Sequence, residues 1–170
     1  LLLVASLAAC NHETEAPVST PVGSSDRQAA PREVTLFYPS SALGLVPERR
    51  ELFLPEVETF AIAALTDELL REMSARWPGA FVPEGSSTRA AYRMENTVVI
   101  DIEAPSFDEG WATGSQAEIL ALQSIIHSIT SNFREVDSVQ ILINGGEAPT
   151  FAGHIDLSKP LRPNQALLRR

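Results

Sequence analysis

Few residues in this chain have both a reactive side chain and a spacing that chemistry uses. Cys10 is the only cysteine in 170 residues, so neither an intrachain disulfide nor a multi-thiolate metal site can form. It closes the run LLLVASLAAC, in which apolar residues lead into the small pair Ala8 and Ala9 and the sequence turns polar from Asn11. That order is the h-region of a secretion signal beside its small-residue cleavage site. The run is too short to span a bilayer, which takes roughly 20 residues. His154 and Asp156 stand two apart, as do Asp101 and Glu103, and each pair would share one face of a strand, where general acid–base work could be done. Such pairs are also common on solvated sheet faces, and no HExxH, GxSxG or cysteine–histidine arrangement accompanies them. His127 has no second ligand at metal spacing and is expected to be a partly exposed polar residue. His12 and Glu13 belong to a solvated segment. Trp111, in FDEGWATGS, is the candidate platform for a glycan ring, although an aromatic in such a loop more often caps the core. No catalytic residue, metal ligand or cofactor is assigned.

The elements that must hold these residues are legible in outline. Apolar residues make up 44% and charged residues 21% of the chain, an ordinary globular balance. The net charge is −9 and no basic stripe exists, which argues against nucleic acid as a partner. Residues 11–32, NHETEAPVSTPVGSSDRQAAPR, have no apolar period and read as a flexible linker with a reach of ~25 to 30 Å. EVTLFYP (33–39) alternates as a half-buried strand, and a second short strand is expected at 49–54. From 56 to 77, Val57, Phe60, Ala61, Ala64, Leu65, Leu69 and Met73 recur at helical spacing, with Pro78-Gly79 as the stop.

TRAAYRMENTVVIDIEA reads as a hairpin. Ala90, Tyr92 and Met94 form one apolar set and Val98, Ile100 and Ile102 another. A three-residue turn at Glu95-Asn96-Thr97 would pair Met94 with Val98, Tyr92 with Ile100, and Arg89 with Glu103. Ile119, Leu122, Ile126, Ile129 and Phe133 step by three and four and predict an amphipathic helix over 115–134, with Ser115 and Glu118 as a capping box. VDSVQILINGG (136–146) follows as a nearly continuous apolar strand ending in a glycine turn. A last short strand is expected at 153–156. The order strand, strand, helix, strand, strand, helix, strand suits an α/β (α+β) two-layer sandwich, with a mixed sheet of about five strands and both helices on one face.

Two resemblances extend this reading. Leu7-Ala8-Ala9-Cys10 resembles the lipobox of bacterial lipoproteins, which implies that Cys10 is lipidated and becomes the first residue after the signal is removed. Asn11 in place of Asp then implies the outer membrane, facing the periplasm, in a Gram-negative cell, and the outer face of the cell membrane otherwise. VTLFYPSSALGLVPERREL, FVPEGSSTRAAYRMENTVVIDIEAPSF and GSQAEILALQSIIHSITSNFREVDSVQILINGG resemble, in order and spacing, the GerMN domain of bacterial sporulation and spore germination proteins. The family usually carries an Asp-Gly or similar turn where this chain has Glu95-Asn96-Thr97, and the LTDELLREMSARWPG helix end is longer than usual. The organisation expected is a truncated signal at 1–9, a lipidated cysteine and linker at 10–32, a GerMN-like domain at 33–160 and a tail at 161–170. The family supplies no catalytic motif, and the resemblance implies a non-catalytic envelope module that binds a protein partner or copies of itself. A peptidoglycan- or glycan-binding module is the alternative, and a hydrolase the third reading.

Overall fold

The computed structural model describes residues 29–40, 43–105, 107 and 114–169. Cys10 and Trp111 lie outside the described residues. Two long strands, β1 (Ala29–Pro39) and β2 (Leu45–Pro55), form an antiparallel ribbon whose register runs from Ala29 opposite Pro55 to Pro39 opposite Leu45. Helix α1 (Glu58–Arg76) follows, then β3 (Ser87–Met94), β4 (Thr97–Glu103), α2 (Ser115–Asn132) and β5 (Ser138–Ile143). β3 pairs antiparallel with β4, and β4 pairs parallel with β5 through the α2 crossover.

The five strands and two helices make the expected two-layer α/β sandwich, and the strands divide between a two-stranded and a three-stranded sheet. The division has a visible cause in α2. Ser128 Oγ accepts a hydrogen bond from the Phe37 amide (3.0 Å). Asn132 accepts from the Thr35 amide through Oδ1 (2.9 Å) and donates to the Thr35 carbonyl through Nδ2 (2.7 Å). Side chains of α2 thus take the hydrogen bonds along an edge of β1 that a neighbouring strand would otherwise fill, and buried main-chain groups need partners of some kind.

The common core joins Val34, Leu36 and Tyr38 of β1 with Val98, Ile100 and Ile102 of β4, Val139, Ile141 and Ile143 of β5, and the inner faces of both helices. The inner stripe of α1 is Ala61, Ile62, Leu65, Thr66, Leu69, Leu70 and Met73. Val57 and Phe60, expected inside, are 38% and 50% exposed, because the stripe turns toward Ile62 and Leu70 one turn into the helix. α2 is buried on more than one side. Leu120 joins Phe37 and Leu45 in a small satellite cluster while Leu122, Ile126 and Ile129 enter the main core. This also corrects the reading of His127, which is 2% exposed: its ring packs at 5.3 Å on Phe37 and Nε2 donates to the Asn164 carbonyl at 3.1 Å.

The hairpin register differs from the expected one. Met94 stands opposite Thr97, so the turn has two residues, Glu95 and Asn96, and Glu95 takes a φ of 53°. Ala91 and Arg93, not Tyr92 and Met94, lie opposite Ile100 and Val98. Small Ala91 lets α1 approach β3, and Arg93 is satisfied there by Glu58 at the start of α1 (2.8 Å) and by the Glu95 and Arg134 carbonyls. A register shift between Thr88 and Ala90 leaves Arg89 as an extra residue, 3.8 Å from Glu103 and 3.9 Å from Asp101. The Arg89–Glu103 contact forms, although Ser87 is the strand partner of Glu103.

Residues beyond β5 tie the two sheets together. Leu161 exchanges two main-chain hydrogen bonds with Val139 (2.9 and 2.8 Å), and the Arg169 amide donates to the Leu45 carbonyl (2.9 Å). In place of a strand at 153–156 there is a single bridge between Thr150 and Asp156.

Candidate functional site

The residues with the most reactive character are consumed in scaffolding. Glu118 is fully buried. It does not complete a capping box: the N-cap of α2 is Gly114, with no side-chain cap. Its carboxylate accepts from the amides of Ala152 (2.9 Å), His154 (3.1 Å) and Ile155 (2.9 Å) and from His154 Nδ1 (2.9 Å). Four donors on one carboxylate satisfy it inside the protein and fix the 152–155 loop to α2. Asp156 turns away to the Ser158 amide (2.8 Å), whose hydrogen bonds hold its carboxyl below the usual range. His154 and Asp156 therefore serve different partners and do not act as a pair.

Asp101 and Asn144 close the far end of the sheet. Asp101 Oδ1 accepts from the Gly145 amide (2.9 Å), and Asn144 accepts from the Ala104 amide (2.9 Å) through Oδ1. Gly145 adopts a φ of 83°, a conformation open to glycine, with Arg89 packed 2.9 Å from where a Cβ would sit. The stretches 101–104 and 144–145 are thus two halves of one turn lock, and Glu103 is exposed outside it.

On the ribbon side, Arg76 lies 4.1 Å over the Tyr38 ring and pairs with Glu48 at 2.7 Å, while Arg50 reaches Glu72 at 3.1 Å. The hydroxyl of Tyr38 is buried with no hydrogen-bond partner among the described residues, and burial pushes its pKa up to about 12. Arg76, hydrogen-bonded to Glu48, is held still more firmly protonated. This network fastens β2 to α1. Among the described residues, no group of three or more His, Cys, Asp and Glu side chains is placed to hold a metal, and no helix is long and apolar enough to cross a membrane.

The helix-free face of the β3-β4-β5 sheet is different. Because of the two-residue turn, Tyr92 and Met94 point there and are 55% and 65% exposed. Beside Met94 lies a groove of about 660 Å³ lined by Thr97 and Val99 of β4, Gln140 and Leu142 of β5, Glu95, Glu147 and Pro160. Gln140 is anchored to the Leu157 carbonyl. Met94 is the exposed large apolar side chain that lines this groove, while Tyr92 borders a separate hollow with Thr59, Phe60 and Ala63 of α1. The apolar set Ala90, Tyr92 and Met94 carries the signal in the sequence, but alternation alone does not say which face of the sheet it occupies.

The chain is thus a two-layer α/β sandwich with a polar turn lock, a buried carboxylate hub and an apolar open sheet face. The chain belongs to the Germane family, described as sporulation and spore germination, whose model matches residues 35–149. Among solved structures, the fold is similar to that of a candidate lipoprotein from Clostridium perfringens, with a TM-score of 0.53 and 15% identity over 79% of this chain and 87% of that one. It is also similar to the tandem GerMN domains of the sporulation protein GerM from Bacillus subtilis, with a TM-score of 0.55 and 17% identity. That match covers 88% of this chain and 49% of the GerM chain. No curated protein matches.

Proposed function

We propose that this chain is a non-catalytic module of the bacterial cell envelope, anchored through a lipid on Cys10, that works by binding another envelope protein. The observation that carries the reading is the outward turn of Tyr92 and Met94 on the helix-free sheet face. The register spends two large apolar side chains on solvent while Ala91 and Arg93 occupy the helix side. Membership of a sporulation and spore germination family supports a role at the envelope, and LAAC supports the anchor. With each buried methylene worth about 0.8 kcal/mol, two or three acyl chains hold a protein stably on a membrane.

The test compares wild type with Cys10→Ala by membrane fractionation and in-cell crosslinking. Wild type should partition with membranes and give a discrete crosslinked protein; Cys10→Ala should lose both. A Cys10→Ala chain that stays with the membrane sinks the anchor. Hydrolysis of peptidoglycan by the purified unacylated chain sinks the non-catalytic reading.

A further inference from the structure

The groove beside Met94 has a chemistry that selects its occupant. We propose that it docks a basic segment of another protein, one carrying large apolar side chains flanked by arginine or lysine. The proposal rests on the protein-binding reading above and adds where and what the domain binds. Val99 and Leu142 give the groove an apolar floor, with Met94 and Pro160 among its other lining residues. Its volume of about 660 Å³ is of the order that a few buried side chains fill. The exposed thioether of Met94 can adapt to differently shaped apolar groups.

Glu95 and Glu147 set the polarity. Both are exposed and both line the groove, and among the described residues that line it none is basic. Arg93 lies on the opposite sheet face against Glu58 (2.8 Å), and Arg162 pairs with Asp137 at 3.1 Å. An apolar groove with carboxylates among its lining, on a chain of net charge −9, attracts a basic partner and repels a second copy of the same chain. Glu95 also holds a φ of 53°, a left-handed conformation at the first position of a two-residue hairpin loop, where glycine fits without strain. A carboxylate kept at a strained turn is the kind of outlier that points to a binding role.

The experiment titrates the full chain carrying Cys10→Ser with two synthetic peptides of equal length. Both carry the same leucine and phenylalanine residues, flanked by arginine in one and by glutamate in the other. The arginine peptide should bind roughly tenfold or more tightly than its glutamate counterpart and shift the amide resonances of Met94, Thr97, Val99, Gln140 and Leu142. The Glu95→Gln/Glu147→Gln double variant should lose that preference, and added salt should weaken it. Equal affinity for the two peptides overturns the proposal, as do shifts confined to another surface, self-association through the same resonances, or binding of phosphatidylglycerol vesicles in place of peptide. In the in-cell crosslinking experiment, an envelope partner that survives Met94→Ser with Glu95→Gln and Glu147→Gln overturns the groove while leaving the protein-binding reading standing. A wild-type chain that crosslinks to no protein overturns the reading itself.

Discussion

Glu118 Oε2 on α2 accepts a hydrogen bond from His154 Nδ1 at 2.9 Å, joining a fully buried carboxylate to an imidazole whose side chain is 49% exposed. The asymmetry decides what each residue is worth. The carboxylate also receives three main-chain amides and, being fully buried, has no water to fall back on, whereas the imidazole can return to solvent.

Replacing Glu118 by Gln puts an amide donor among these donors. A loss of about 3 kcal/mol is expected. His154→Ala, by contrast, should cost under about 1 kcal/mol, because the pair is half screened by solvent. Urea denaturation of the two variants checks the ranking, and equal losses would show that the hub rests on the His154 side chain and not on the loop amides.

His127 is held neutral by burial, which lowers its pKa below the ordinary value against the opposing effect of the Asn164 carbonyl. In the unfolded chain the ring takes up a proton near pH 6.5. Below that pH the unfolded state binds more protons than the folded state, so stability falls with acidification until the folded ring itself titrates. His127→Gln keeps a donor for the Asn164 carbonyl without a titrating ring and should flatten the slope in melting temperatures taken from pH 7.5 to 5. An unchanged slope would contradict the assignment.

Tyr38 makes the opposite case at alkaline pH. Its phenol ionises at about 12 in the fold, raised by burial against the pull of Arg50 and Arg76, and near 10 when unfolded. Stability should therefore fall between these values, by about 2 kcal/mol at the upper one. Tyr38→Phe abolishes the fall and, by removing a buried hydroxyl without a partner, should stabilise the protein at neutral pH by about 1 kcal/mol. Absorbance at the phenolate band against pH, with parallel unfolding curves, measures both effects.

Glu95→Gly should raise stability by about 1 kcal/mol by relieving the left-handed backbone. It should also shift the balance of the open face by removing one of its carboxylates. A destabilised glycine variant would mean that the Glu95 side chain holds the turn through a contact of its own.

The architecture was legible wherever one period dominated. Val34, Leu36 and Tyr38 are buried as their alternation predicts, and Leu122, Ile126, Ile129 and Phe133 are buried as their helical spacing predicts. The hairpin register was not. Both of its apolar sets alternate equally well, and only tertiary fit decides which lies beneath α1: there Ala91 leaves room for the helix and Arg93 finds Glu58. His127 was misplaced because the spacing of α2 shows one apolar stripe, while the ribbon and the Asn164 segment cover further sides. The role of Glu118 depends on amides more than thirty residues away, which no local pattern encodes. The groove depends on the hairpin: with Met94 opposite Thr97 and not Val98, Met94 lies at the surface beside Val99.

The link between Arg169 and Leu45 has a consequence for the order in which the protein can be made. Leu45, in the second strand, bridges Leu168, 123 positions later, and Gly44 leaves so little room that an added Cβ would sit 2.7 Å from the Leu167 carbonyl oxygen. The ribbon can form early, since its pairs are close in sequence. Its final closure waits for residues near 168 to emerge and search for their place, a contact whose entropic cost grows with the chain between its ends. A chain threaded across a membrane from its N-terminus would thus cross with this seam open and seal it last, on the far side.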